Sequence, residues 1–322
     1  MVGVQRNMGI ISIQLAILLP IALGYLLRQL QVFKENEAAA LRKFVMKIGS
    51  PFLVFRNLYH ADMQSLTQAA PIIVCFALIT VLYTWAAHVT APFVSPDPLQ
   101  QASFSFSVFA GNYAFLGWGV IASFFGDQAL TRAVFFSVFF WPVFLVTGFW
   151  LDHSSRTRPP DESRNSFLLI LARNAGVPIS AAAFGLALNA CGFHLPEVLD
   201  DFISKFAAIG IPLILFTIGL ALRLRLPRAM LRIILFSAAM RLVFGFVMGL
   251  VIVLVMRRVL AIDPLSQKVV LMQAVMPTAT MSTFFMEYVP LDSELLSGAI
   301  AFSTIASLFT LPLWYWVIEK FF

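Results

Sequence analysis

The chain has 322 residues, 60% hydrophobic and 12% charged, with a net charge of +6 at neutral pH. Apolar stretches of about 20 residues, enough to cross roughly 30 Å of hydrocarbon, recur along its whole length. That excludes a soluble globular domain. The 22 bases and 16 acids lie mostly between these stretches, as loop charge beside a lipid surface and not as a nucleic-acid-binding face.

Ten spans are predicted, at roughly 9–28, 44–60, 70–94, 101–125, 130–151, 167–190, 202–222, 232–256, 268–288 and 295–318. The first has one early base, Arg6, and no small-residue cleavage site, so it reads as a span and not as a removable signal. The second starts among Arg42, Lys43 and Lys47 and has the weakest pattern. Cys75 lies inside the third and Cys191 at the end of the sixth, with no CxxC, so two free thiols are expected and no metal or disulfide framework. The stretch "LDHSSRTRPPDESRNS", residues 151–166, is polar with a proline pair and falls near the middle of the chain. The expected organisation is a first five-helix repeat over 1–151, a cytoplasmic linker over 152–166 and a second five-helix repeat over 167–322.

The two halves support that division when superposed. An offset of 161 lays "GYLLRQLQVF", from Gly24, on "GLALNACGFH", from Gly185, and "PFLVF", from Pro51, on "PLILF", from Pro212. An offset of 165 pairs Asn112 with Pro277, Asp127 with Asp292 and Leu130 with Leu295. Five helices per half, an odd number, force the copies into opposite orientations, which is the inverted-repeat plan of secondary transporters.

Loop charge sets the expected orientation. With the N-terminus outside, the inner loops carry thirteen bases: Arg28, Lys34, Arg42, Lys43, Lys47, Arg156, Arg158, Arg164, Arg173, Arg223, Arg225, Arg228 and Arg232. The outer side carries eight: Arg6, Arg56, Arg132, Lys205, Arg257, Arg258, Lys268 and Lys320. Positive charge inside therefore favours both termini outside.

The ninth span, "LMQAVMPTATMSTFF", puts Pro277 and four hydroxyl side chains in the middle of an apolar run. Proline removes a helical donor, and irregular backbone at membrane depth survives only where protein buries it or water reaches it. Its counterpart, "FAGNYAFLGWGV", surrounds Asn112 with Gly111, Gly117 and Gly119. Two interrupted helices at matching positions of inverted halves point to a substrate site; a simple kink at Pro277 and a helix-to-helix hydrogen bond from Asn112 are the plainer alternative.

Arg241 is the other unusual residue. It lies about nine residues into the eighth span, near 13 Å deep, where a charge costs at least about 2.5–3.5 kcal/mol and should face protein or water. Small neighbours Ala238, Gly245 and Gly249 allow close packing around it. Its guanidinium can pair bidentately with a substrate carboxylate, snorkel to the surface, or hold carbonyls freed by a broken helix.

No acid stands beside Asn112 or Pro277: Asp127 and Glu287 lie 15 and 10 residues away, about 22 and 15 Å along a helix. A paired-aspartate proton antiporter is thus disfavoured. Backbone carbonyls with Gln273, Thr278 and Ser282 remain a candidate sodium site. The histidines His60, His88, His153 and His194 are scattered over different segments, which argues against a membrane enzyme. A passive channel, which also uses broken helices, stays open.

The motifs "LPIALGYLL", "SPFLVF", "GNYAFLG" with "FGDQAL", "PLILFTIGLAL", "MPTAT" and "STIASLFTLPLW" occur in this order over nearly the whole chain, which resembles the auxin efflux carrier family. The resemblance implies an all-α membrane protein of ten transmembrane helices in an inverted 5+5 repeat, with broken, crossing helices 4 and 9. Helices 1, 2, 6 and 7 would form a scaffold and the rest a moving domain. It places substrate contacts at Gly111, Asn112, Pro277, Thr278 and Ala279, to which the residue chemistry adds Gln273 and Arg241. Members often carry a proline after the fourth-helix glycine, where this chain has Trp118 and Gly119. The implied substrates are small organic anions such as auxin, malate or malonate, moved across the cell membrane. No cofactor and no nucleic acid are expected; the partners would be the anion, the bilayer and, as an assembly, a homodimer.

Overall fold

The computed structural model describes residues 2–155, 167–223 and 227–322, and is all-helical apart from one isolated backbone bridge. The helices are α1 (Val2–Gln29), α2 (Glu35–Phe44), α3 (Ser50–Tyr59), α4 (Met63–Val94), α5 (Pro98–Val108), α6 (Phe115–Phe125), α7 (Asp127–Ser137) and α8 (Phe140–Ser155). They continue as α9 (Phe167–Ala190), α10 (Glu197–Ala221), α11 (Leu231–Ala239), α12 (Gly245–Val259), α13 (Pro264–Ala274) and α14 (Ser293–Phe321). Two π-helical turns, Val45–Gly49 and Met240–Phe244, join α2 to α3 and α11 to α12, and a 3-10 helix covers Thr280–Glu287. The greater part of the expected linker, 156–166, lies outside the described residues.

Among the described residues, four helical segments are long and apolar enough to cross a membrane: α4, α10, Arg228–Val259 and α14. A fifth appears if α7 and α8 count as one span. The first and sixth expected spans correspond to the continuous helices α1 and α9, of 28 and 24 residues; the rest are shorter or interrupted. The second is built from α2, a π turn and α3; the fourth divides into α5 and α6, and the ninth into α13 and the 3-10 helix. A count of apolar residues registers length but not the backbone interruptions.

Local chemistry explains the helix starts. Lys34 N–H donates to Glu37 Oε2 at 2.7 Å at the head of α2, and Asp62 Oδ1 accepts from Ser65 N at 2.7 Å where α4 begins. Each carboxylate satisfies an orphan donor of the first turn. Gly126, at φ +82°, turns the chain between α6 and α7, a conformation that favours glycine.

Segment boundaries repeat along the chain. Gln29 ends α1 and Ala190 ends α9, an offset of 161; residues 35–59 and 197–221 match at 162. Met63–Val94 and Arg228–Val259, each of 32 residues, match at 165. The 11-residue helices α5 and α13 match at 166, as do the starts of α7 and α14, Asp127 and Ser293. α5 and α13 also begin alike, with Asp97-Pro98-Leu99 and Asp263-Pro264-Leu265. Asp97 Oδ1 accepts from Leu99 N at 2.9 Å and Asp263 Oδ1 from Ser266 N at 2.7 Å, each aspartate capping a helix with proline at its first position.

The chain divides into two compact units. One comprises Met1–Ala70, Ala114–Val138 and Ala175–Leu222. Within it α1 packs on α10 so closely that a Cβ on Gly24 would overlap Phe216 O, and α9 packs on α3 with a Cβ on Gly185 falling 2.8 Å from Phe55 O. Gly24 and Gly185, like Phe55 and Phe216, are 161 residues apart, so the two contacts involve residues related by the same offset. Arg132, placed among the outer-loop bases by its position in the sequence, is instead buried in α7 at 1% exposure. Its charge helps to hold Asp62 below the usual carboxylate range, a shift caused chiefly by hydrogen bonds from Ser65.

The second unit comprises Pro71–Tyr113, Phe139–Asn174 and Arg223–Phe322. Its core carries Phe106, Phe109, Phe144 and Phe285, with Phe285 in ring contact with the other three. Phe285 sits where Gly148 leaves space, since a Cβ there would overlap its ring.

Candidate functional site: the crossing of two interrupted helices

α5 stops at Val108 and α13 at Ala274. The extended residues beyond them pair antiparallel, Gly111 opposite Thr278. Asn112 N donates to Pro277 O at 2.8 Å and Ala279 N to Ala110 O at 2.9 Å. These two bonds replace helical ones, which is how a backbone interruption is tolerated away from water. Proline suits position 277, whose only backbone polar group is the carbonyl that Asn112 uses.

Side chains take up further loose ends. Thr278 Oγ1 donates to Ser107 O at 2.7 Å, and Thr278 N donates to Ser303 Oγ at 3.2 Å. Ser107 Oγ and Ser237 Oγ lie 2.7 Å apart. Gln273 Nε2 donates to Tyr113 O at 3.3 Å, while Gln273 Oε1, Ser282 Oγ and Thr304 Oγ1 are buried without a hydrogen-bond partner. Gly111, Asn112, Gln273, Pro277, Thr278, Ala279 and Arg241 are all buried, and the structure brings these seven into one cluster.

Arg241, in the π turn Met240–Phe244, is 0% exposed. Nε and Nη2 donate to Met276 O at 3.0 and 2.8 Å, and Nη1 donates to Val108 O at 3.3 Å. Nη1 and Nη2 also approach the Tyr113 hydroxyl at 3.5 Å. The guanidinium carbon lies 3.9 Å from the centre of the Tyr83 ring, within range of a cation–π attraction. Of the three roles open from the sequence, snorkelling is absent and the side chain holds carbonyls freed at both interruptions. A Cβ on Gly111 would overlap Nη2, and one on Gly245 would overlap the Tyr83 hydroxyl; both glycines make room for the clasp.

Tyr83, Tyr113, Ser107, Ser237 and Ser303 escaped the sequence reading. Tyr83 carried a usable signal: a tyrosine deep in an apolar span, away from the interfacial belts where tyrosine concentrates, needs a buried partner for its hydroxyl. Elsewhere, His60 meets Asp200 at 2.9 Å and His88 meets the Trp150 ring at 5.4 Å. Among the described residues no group of three or more His, Cys, Asp or Glu side chains could hold a metal ion.

The sequence profile described as membrane transport protein matches residues 10–315. An uncharacterized transporter of Methanothermobacter thermautotrophicus is 28% identical over 308 residues, covering 95% of this chain and 98% of that protein. Another, from Methanocaldococcus jannaschii, is 24% identical over 318 residues with the same coverage of both chains.

Proposed function

The chain belongs to the membrane transport protein family, the auxin efflux carriers, and on that premise we propose that it is a secondary transporter that carries a small organic anion by alternating access at the helix crossing. The coarser part of this, a multi-pass membrane transporter, follows from the family and the apolar helices. The anion, a mono- or dicarboxylate, and the access mechanism are our reading.

The observation that carries it is the antiparallel pairing of Gly111 with Thr278 between two interrupted helices. Such interruptions at membrane depth need compensating hydrogen bonds, and in transporters they recur where substrate binds. Arg241 supplies the positive charge that suits an anion, and Gln273 Oε1 retains hydrogen-bonding capacity. The proposed site is Gly111, Asn112, Gln273, Pro277, Thr278 and Ala279, with Arg241 beside them as the source of its positive charge.

A ten-helix inverted repeat is part of the same proposal. It is supported by segment boundaries that recur at offsets of 161 to 166 and by the matching glycine contacts of Gly24 and Gly185. In this reading the unit containing α1, α2, α3 and α10 is the scaffold, the unit containing the crossing moves, and both termini face outward from the cell membrane. A channel is the second reading, because interrupted helices also line pores.

Uptake of a panel of radiolabelled mono- and dicarboxylates into proteoliposomes tests the proposal. Saturable uptake accelerated by the same acid on the opposite side is expected of a carrier. Non-saturating flux would favour a channel, and no uptake of any acid would reject the substrate class.

A further inference from the structure

The end of an α-helix leaves carbonyls without helical donors and carries about half a negative charge. In transporters with discontinuous helices, such ends and the unwound carbonyls beside them coordinate the coupling cation. Here two helices, α5 and α13, end at the crossing, and together their ends amount to roughly one negative charge.

That place is occupied by a side chain. Val108 O and Met276 O both accept from Arg241, and Ala274 O accepts from the Tyr83 hydroxyl at 2.8 Å. A guanidinium has five N–H donors and no acceptor. Here three contacts go to carbonyls and two to the Tyr113 hydroxyl, which leaves no donor for a substrate carboxylate. Arg241 forms no ion pair with an acid among the described residues, and its charge is fully buried, so the two helix ends and the aromatic faces are what balance it.

We propose that Arg241 is a tethered counter-cation, its guanidinium standing where a broken-helix crossing would otherwise bind a coupling ion, so that this carrier works without sodium. The proposal rests on reading the crossing as the transport site. It makes Arg241 a positioning residue, which acts on the substrate through the backbone it clamps and the charge it fixes, without touching it.

Two measurements test it. In proteoliposomes of the wild-type protein, replacing sodium by choline at constant ionic strength should leave initial uptake unchanged; a saturable rise of rate with sodium would overturn the proposal without recourse to any variant. In detergent, Arg241→Ala should melt lower than wild type, and millimolar methylguanidinium chloride should raise its melting temperature saturably by several degrees, as a bound ligand does. Choline chloride should not. Arg241→Met, which fills the space without charge, should gain from neither salt, whereas a merely structural role predicts that Met rescues. Failure of methylguanidinium to stabilise Arg241→Ala, or equal stabilisation of the wild type, would overturn the proposal. Melting needs no substrate, so a wild type that carries none of the acids would reject the proposed function and leave this result readable.

Discussion

Tyr83 holds Arg241 twice: its ring lies 3.9 Å beneath the guanidinium, and its hydroxyl shares its one proton between Ala274 O at 2.8 Å and the Arg241 carbonyl at 3.1 Å. That carbonyl belongs to the π turn, where regular helical bonding is disturbed. Tyr83→Phe keeps the ring but removes the one proton these two buried carbonyls share, and should cost about 1–3 kcal/mol. Tyr83→Leu should cost a further ~0.5–2 kcal/mol by losing the cation–π contact. Denaturation in detergent measures both; equal losses would show the ring contact to be idle.

At the crossing itself, Gly111→Ala drives a methyl group into Arg241 Nη2 and places it 2.5 Å from the Tyr113 ring. The strain should reach about 1–3 kcal/mol and displace the guanidinium, and uptake should fall with it. Pro277→Ala permits a straighter continuation of α13, and Asn112→Ala removes a polar side chain beside the same pairing. Each should abolish uptake while membrane insertion stays normal. Wild-type rates in both would reduce the interruptions to kinks.

Topology is open to a native probe, because Cys191 is exposed and Cys75 buried. An impermeant maleimide applied to intact cells should label Cys191. In a Cys191→Ser background, Gln64→Cys and Pro196→Cys should label from outside, and Asn36→Cys only after the membrane is opened. All three positions are exposed. Outside labelling at Asn36 would reverse the orientation.

The matching glycine contacts make a paired prediction. Gly24→Ala and Gly185→Ala each push a methyl group against a helix carbonyl, of Phe216 and Phe55 respectively, and each should destabilise by about 1–3 kcal/mol. Similar losses, nearly additive in the double variant, are expected of contacts at separate helix pairs. A neutral Gly185→Ala would break the equivalence.

Asp62 gives a pH dependence. Its pKa lies below the ordinary value because Ser65 donates to the carboxylate and Arg132 adds its charge, against the opposing effect of burial. A folded-state pKa below the unfolded one stabilises at neutral pH, and the stabilisation disappears as pH falls through the folded value. Asp62→Asn should therefore lower the melting temperature at pH 7, with the difference from wild type closing in acid. A difference independent of pH would exclude the carboxylate as its source.

The positions of both interruptions were legible, because Pro277 and the glycines around Asn112 change what the backbone can do locally. The role of Arg241 was not. Its depth could be counted along the span, but Val108 O and Met276 O lie 133 and 35 residues away in sequence, and only the fold brings them together. The Asp-Pro-Leu starts of α5 and α13 stood in the sequence at an offset of 166, one residue from the offset that pairs Asn112 with Pro277, and so escaped superposition. Thr280–Glu287 reads as apolar helix; its 3-10 winding depends on tertiary packing that residue propensities do not encode.

The aspartates that open α5 and α13 have a consequence at the opposite ends of those helices. Asp97 and Asp263 supply acceptors to first-turn N–H groups, and Asn112 N and Ala279 N find carbonyls across the crossing. The shortfall that remains is one of hydrogen atoms: Ser107 O, Val108 O, Ala274 O and Met276 O are met by Thr278, Arg241 and Tyr83. Arginine alone among the side chains brings five hydrogens and asks for none. A glutamate or glutamine at 241 would add another acceptor to a junction already oversupplied with them, so chemistry narrows the choice at that position well before size does.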